Sequence, residues 1–198
     1  MRAKSQGAKA NAAGERAIKL IRQRLLTGGY QFEDCTTLEA LCERGQGLYA
    51  ETGRFAEEVT APLAAAWHVG RKFRALARFA VLTHRGEGVL IGLKFQDKDG
   101  SAEARVEFHA QQLISAIRPG VGAALLVMGP LKGRDEEEGF SPWVLGPIWD
   151  RARHFSGDKL LLFRSYDKLC VWVSDGMPVA GPRVNAQALF NQYCDREP

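Results

Sequence analysis

The sequence predicts a mixed α/β (α+β) fold, a central mixed sheet flanked by helices. Four observations lead there. Val89, Ile91, Leu93 and Phe95 alternate with Leu90, Gly92, Lys94 and Gln96, the period of a strand. That strand follows the strand-like run Leu76 to Thr83 and the turn Arg85-Gly86-Glu87-Gly88, which makes the pair an antiparallel hairpin. Ser101 then caps a helix running to about Ile117, with Glu103 in its first turn. Beyond the stop at Pro119-Gly120, Ala123 to Met128 is continuously apolar, the mark of a strand buried on both faces.

The remaining elements follow in chain order. Residues 1–10 are small, basic and polar and read as a flexible tail ahead of one domain, 11–198. Asn11 caps a helix over 11–27, in which Ile18, Ile21 and Leu25, with Leu26 beside them, form the apolar stripe; Gly28-Gly29 ends it. A short helix spans Leu38 to Arg44 behind Thr36 or Thr37, and Gly45 and Gly47 break the pattern. Residues 53–69 include a helix interrupted by Pro62. The stretch 129–142 is a loop, and a helix follows near Trp143–Phe155. Leu160–Phe163 and Leu169–Val173 read as a second strand pair around Ser165-Tyr166-Asp167, and Asn185 to Tyr193 as a last short helix.

Composition narrows the functional classes. In 198 residues, 45% hydrophobic, 25% charged and 9% aromatic are ordinary globular values that exclude collagen-like, coiled-coil and wholly disordered chains. No run of about 18 apolar residues would span a membrane, and the basic start lacks the apolar core of a secretory signal. Cys35, Cys42, Cys170 and Cys194 form no C-x-x-C pair and no zinc spacing with His68, His84, His109 or His154, so reduced thiols in a cytoplasmic protein are expected.

The net charge of +4 is small but unevenly placed. Residues 1–30 hold Arg2, Lys4, Lys9, Arg16, Lys19, Arg22 and Arg24 against Glu15 alone. Residues 31–60 are acidic, and 61–120 turn basic again. A basic helix and a basic centre would make one phosphate-facing surface.

The hairpin carries a further signal. Ile91-Gly92-Leu93-Lys94-Phe95-Gln96 followed by Asp97-Lys98-Asp99-Gly100-Ser101-Ala102-Glu103 resembles the PD-(D/E)XK nuclease superfamily, in members whose strand ends in lysine-x-glutamine before a Gly-Ser-Ala-Glu helix start. The resemblance covers roughly residues 74–129, and Arg78-Phe79-Ala80-Val81-Leu82 takes the place of the strand before it. It implies a restriction-endonuclease-like core with Glu15 on the first helix. Active members present an aspartate where this chain has Arg78 and a glutamate where it has Gly92. Those carboxylates hold Mg²⁺, which demands hard oxygen ligands.

The expectation is therefore a DNA-binding protein with a nuclease-like fold and lost or impaired metal-dependent cleavage. Lys94, Gln96 and Glu15 form the vestigial catalytic set. Arg16, Lys19, Arg22, Arg78 and Lys94 are the expected phosphate contacts, the first three at roughly helical spacing on the polar side of the first helix. No metal ligand set and no cofactor are expected; Glu15, Asp97 and Asp99 would hold Mg²⁺ or Mn²⁺ only in the alternative, an endonuclease with relocated carboxylates. A second alternative keeps the fold as a structural or interaction protein. Expected partners are DNA and either a second copy or an active nuclease, with no membrane.

Overall fold

The computed structural model describes residues 6–35, 38–51, 77–95, 102–128, 150, 154, 157, 159–163, 165–182 and 184–194. Its elements run α1 (Gln6–Thr27), β1 (Gln31–Phe32), α2 (Leu38–Arg44), β2 (Leu48–Glu51), β3 (Phe79–Leu82), β4 (Gly88–Phe95), α3 (Ala102–Ala116), β5 (Val121–Met128), β6 (Leu160–Phe163), α4 (Tyr166–Ser174) and α5 (Ala186–Cys194). The six strands form one sheet in chain order, β1-β2-β3-β4-β5-β6. β2, β3 and β4 are an antiparallel meander, whereas β1 is parallel to β2 and β4, β5 and β6 are parallel to one another. A mixed α/β architecture with a mixed sheet between helices is what the sequence predicts. The hairpin, the helix after it and the apolar strand all stand where expected.

Register divides the sheet into two faces. Paired residues share a face and successive residues alternate. The row Glu51, Phe79, Ile91, Ala124, Leu161 crosses five strands on one face. On that face lie α1, which reaches Glu51 through Arg22, and α4, whose Trp172 ring sits 5.4 Å from that of Phe163. The other face carries Leu90, Gly92 and Lys94, and is covered by α2 and α3: a Cβ on Gly88 would meet Leu38, and one on Gly92 would meet Leu113 and His109. Both faces are lined by fully buried side chains, among them Phe79, Leu90, Ile91, Leu125, Phe163 and Trp172. Each such side chain contributes about 1.5–3 kcal/mol when taken from water.

α1 shows how local sequence sets the packing. Ala17, Ile18, Ile21 and Leu25 are buried as the stripe predicts, but Leu26 is 54% exposed, one residue and about 100° further round the helix. The helix begins at Gln6, so residues 6–10 continue it instead of forming a tail. Alanine, at 8, 10, 12 and 13, has the highest intrinsic helix propensity and extends the helix past Asn11.

One further expectation is corrected. Leu169–Val173 is helical, within α4, and not a strand. A short apolar run fits either period. Here Ser165 caps the helix by accepting from the Asp167 amide, and Leu169, Cys170, Trp172 and Val173 bury at helical spacing. The break at Gly45 and Gly47 stands, and the segment after it, to which the sequence reading assigns no element, is strand β2, four residues long. The predicted helix over 53–69 and the loop over 129–142 lie outside the described residues, as does most of the helix near 143–155, of which Asp150 and His154 are helical.

At the hairpin turn the backbone is closed by a side chain. The Thr83 hydroxyl accepts from the amides of Glu87 (3.0 Å) and Arg85 (3.3 Å) with Thr83 fully buried. His84 stacks on Tyr30 with ring centroids 4.5 Å apart and its Nε2 lies 3.2 Å from the Gly28 carbonyl, tying the end of α1 to the turn. Gly47, at φ +71, leaves the room that the His84 ring needs; a Cβ there would stand 2.7 Å from it.

Candidate functional site

Three elements converge at the other end of the sheet, where β4, β5 and β6 terminate. Parallel strands gather ligands at their carboxyl ends, because loops and helix starts meet there. β2 ends in Glu51, whose row is otherwise apolar: Phe79, Ile91, Ala124 and Leu161 are at most 3% exposed. A carboxylate beside such a surface is partly desolvated and needs strong donors.

Those donors come from α1 and from the residue before β3. Arg22 meets Glu51 bidentately, Nε to Oε2 at 2.8 Å and Nη2 to Oε1 at 2.9 Å. Arg78 adds a third bond, Nη2 to Oε1 at 2.9 Å. The Arg78 amide donates to the Ile91 carbonyl at 2.8 Å, anchoring it to the hairpin just before β3 begins. The Glu51 side chain is 11% exposed, those of Arg22 and Arg78 43% and 30%. One carboxylate thus faces two guanidiniums, a local excess of one positive charge. The Nε–H of Arg78 is buried and has no acceptor among the described residues. Burial pushes the nearby Tyr49 phenol above its ordinary range; Arg22 pulls it down and Glu51 pushes it up.

The expected site residues separate into groups. Arg22 and Arg78 are brought together, through an acceptor that the sequence did not single out. Lys19 and Glu15 stand about one and two turns further toward the start of α1 and are exposed. Arg16 lies on the same helix. Lys94 is on the opposite face of the sheet, half-buried on the side that α3 covers. Gln96, Asp97 and Asp99 lie outside the described residues.

Gly92 has a packing role. A Cβ there would fall 2.7 Å from Leu113 Cδ1, 3.1 Å from His109 Nε2 and 3.2 Å from Leu125 Cδ1. The space a longer side chain would take is filled by α3 and β5. Arg78, which stands where an aspartate is expected from the resemblance, is bonded to Glu51. Among the described residues no group of three or more His, Cys, Asp or Glu side chains is placed to hold a metal ion. Glu51 itself would offer a cation two guanidiniums as neighbours.

The signal that finds Glu51 is weak in sequence. It is one acid among seven in residues 31–60, and its β2 strand is too short to show a period. Among the described residues no helix is long and apolar enough to cross a membrane. The four cysteines carry no disulfide; Cys35, Cys170 and Cys194 are buried and Cys42 is exposed. No family model, no curated protein and no solved structure matches the chain.

Proposed function

We propose that this chain binds duplex DNA through its phosphates at the carboxyl end of the sheet, on a restriction-endonuclease-like core that has lost metal-dependent cleavage. The observation that carries the reading is the pair of arginines, Arg22 and Arg78, sharing the single carboxylate of Glu51 where the resemblance places a metal-binding aspartate. A guanidinium presents planar paired donors that match a phosphate's oxygens. The element order supports the same reading: a first helix, a meander, a covering helix, then a strand parallel to the meander's last. Lys19 continues the positive charge along α1, and Lys94 adds a cation at the carboxyl end of β4.

Such binding releases condensed counterions, so affinity falls linearly on a log–log plot with salt, by a slope of about 0.9 per phosphate contact. The test is a fluorescence titration of a labelled 20-base-pair duplex at several salt concentrations, with wild type and Arg22→Ala. The expected result is a steep slope that Arg22→Ala lowers by about one contact, equally on unrelated sequences, because phosphate contacts position and do not specify. Binding that is absent even at low salt would leave the structural alternative. Cleavage of the duplex on addition of Mg²⁺ or Mn²⁺, abolished by Glu15→Gln, would establish the relocated endonuclease in its place.

A further inference from the structure

We propose that Glu51 is a positioning residue that holds Arg22 and Arg78 as a two-guanidinium subsite for a single phosphate group; the inference rests on the phosphate-binding reading above. One arginine is enough to balance the Glu51 charge, and Arg22 does so with a bond to each carboxylate oxygen. Arg78 enters as a second cation, on the remaining acceptor capacity of Oε1. Its one bond to Glu51 uses Nη2 and leaves the Nε–H, which is buried and has no acceptor among the described residues. A buried unpaired donor carries a desolvation cost that an oxyanion reaching it removes.

The shape of the cluster fits that ligand. Arg22 is fixed by a helix and Arg78 by its amide bond to Ile91, so both guanidiniums are held before any ligand arrives. Glu51 is the most buried of the three, and the arginine side chains are the parts open to solvent. The carboxylate therefore sits behind its partners and orients them outward. Glu51 touches no ligand in this arrangement; it lowers the ordering cost of the two long side chains that do.

This role makes a prediction opposite in sign to simple charge. Replacing Glu51 by glutamine removes a negative charge near a polyanion, which by itself tightens binding. Loss of positioning weakens it. The experiment is the same duplex titration at several salt concentrations with wild type, Glu51→Gln, Arg78→Ala, Arg78→Lys and the double variant Glu51→Gln/Arg78→Ala, each checked by its thermal unfolding midpoint. Expected are about tenfold weaker binding for Glu51→Gln, the worth of one charge-assisted hydrogen bond, and a double variant whose loss is less than the product of the single losses. Arg78→Lys, which keeps the charge and loses the fork, should lose as much as Arg78→Ala. Tighter binding by Glu51→Gln, or wild-type affinity in Arg78→Lys, overturns the proposal. Should Glu51→Gln fail to fold, the lysine variant alone decides. If wild type binds no duplex, titration with inorganic pyrophosphate followed by the arginine Nε–H resonances separates the two readings: binding lost in Arg78→Lys keeps the subsite and removes DNA as its source, and no binding overturns the subsite as well.

Discussion

The two ends of the sheet use the same residue type in opposite ways. At the hairpin end Arg85 has two oxygens to itself: its Nη2 donates to the Gly176 carbonyl at 3.0 Å and its Nε lies 3.5 Å from Glu87. At the other end two arginines crowd one carboxylate. Among the described residues, the buried side-chain atoms without hydrogen-bond partners differ as well: the Tyr30 hydroxyl and Glu87 Oε2 near the hairpin end, Gln112 Oε1 on α3, and at the far end a guanidinium nitrogen, Arg78 Nε. An unpaired carboxylate oxygen and an unpaired guanidinium N–H suit opposite partners, and on the proposed reading only the second suits an anion. Net charge alone hides this, because a +4 total is silent about which cations are already spent.

The sharpest way to break the contrast is to force a carboxylate back into the far end. Gly92→Glu would drive a side chain into Leu113, His109 and Leu125 and bury its charge. A loss of roughly 3 kcal/mol or more is expected in urea denaturation, from overpacking together with the unpaired charge. A stable Gly92→Glu protein that binds Mn²⁺ would show that the space beneath α3 is yielding and that the two ends differ less than the packing implies.

Next in size is the hairpin end. Thr83→Ala removes an acceptor for two amides in a buried turn, at an expected cost of about 1–3 kcal/mol. Duplex affinity should not change, since the proposed phosphate site lies at the opposite end of the sheet. A fall in affinity equal to that of Arg78→Ala would erase the functional division between the ends.

The smallest effect comes from the phenol of Tyr193, which donates to Asp175 at 2.8 Å beside the hairpin end. Burial, and then the bond to Asp175, push its pKa up to about 12 from the usual 10. A group whose folded value is raised gives stability that is complete below the unfolded value and is lost as pH rises through the folded one. Stability should therefore hold to about pH 10 and decline toward pH 12. Tyr193→Phe should cost about 1 kcal/mol at neutral pH and make that alkaline decline shallower, as followed by thermal melts across the range. An equally steep decline in the variant would assign it to Tyr30, Tyr49 and Tyr166, whose values are also raised by burial.

Legibility in the sequence followed the strength of each local pattern. β4 carries apolar residues at every second position from Val89 to Phe95 and α3 follows a helix-start signature in the sequence, and both stand where the pattern puts them. α4 was misread because Leu169–Val173 is apolar at both periods, and only the cap at Ser165 separates helix from strand. β2 went unread because four residues carry too little period, and its last residue is Glu51. The candidate site was half legible for the same reason. Arg22 and Arg78 stand out as cations in basic stretches, but their common acceptor is fixed by pairing across β2 and β3, a tertiary fact. Lys94 lies on β4, in the same sheet as the site, and yet faces away from α1, because alternation decides the face and nothing in α1 reports which face it covers.

The strict chain order of the sheet has a consequence for how this protein is made. A chain emerging from the ribosome adds β1 through β6 in the sequence in which they lie side by side, so each strand finds its neighbour already present. No strand must wait for a later one to open a slot in the middle. The cost is an exposed flank at every stage: after β4 the nascent sheet ends in the apolar residues Val89 to Leu93, and after β5 in Ala123 to Val127, until the next strand arrives. Those two moments, and not the finished molecule, are when association between incomplete copies is most favoured.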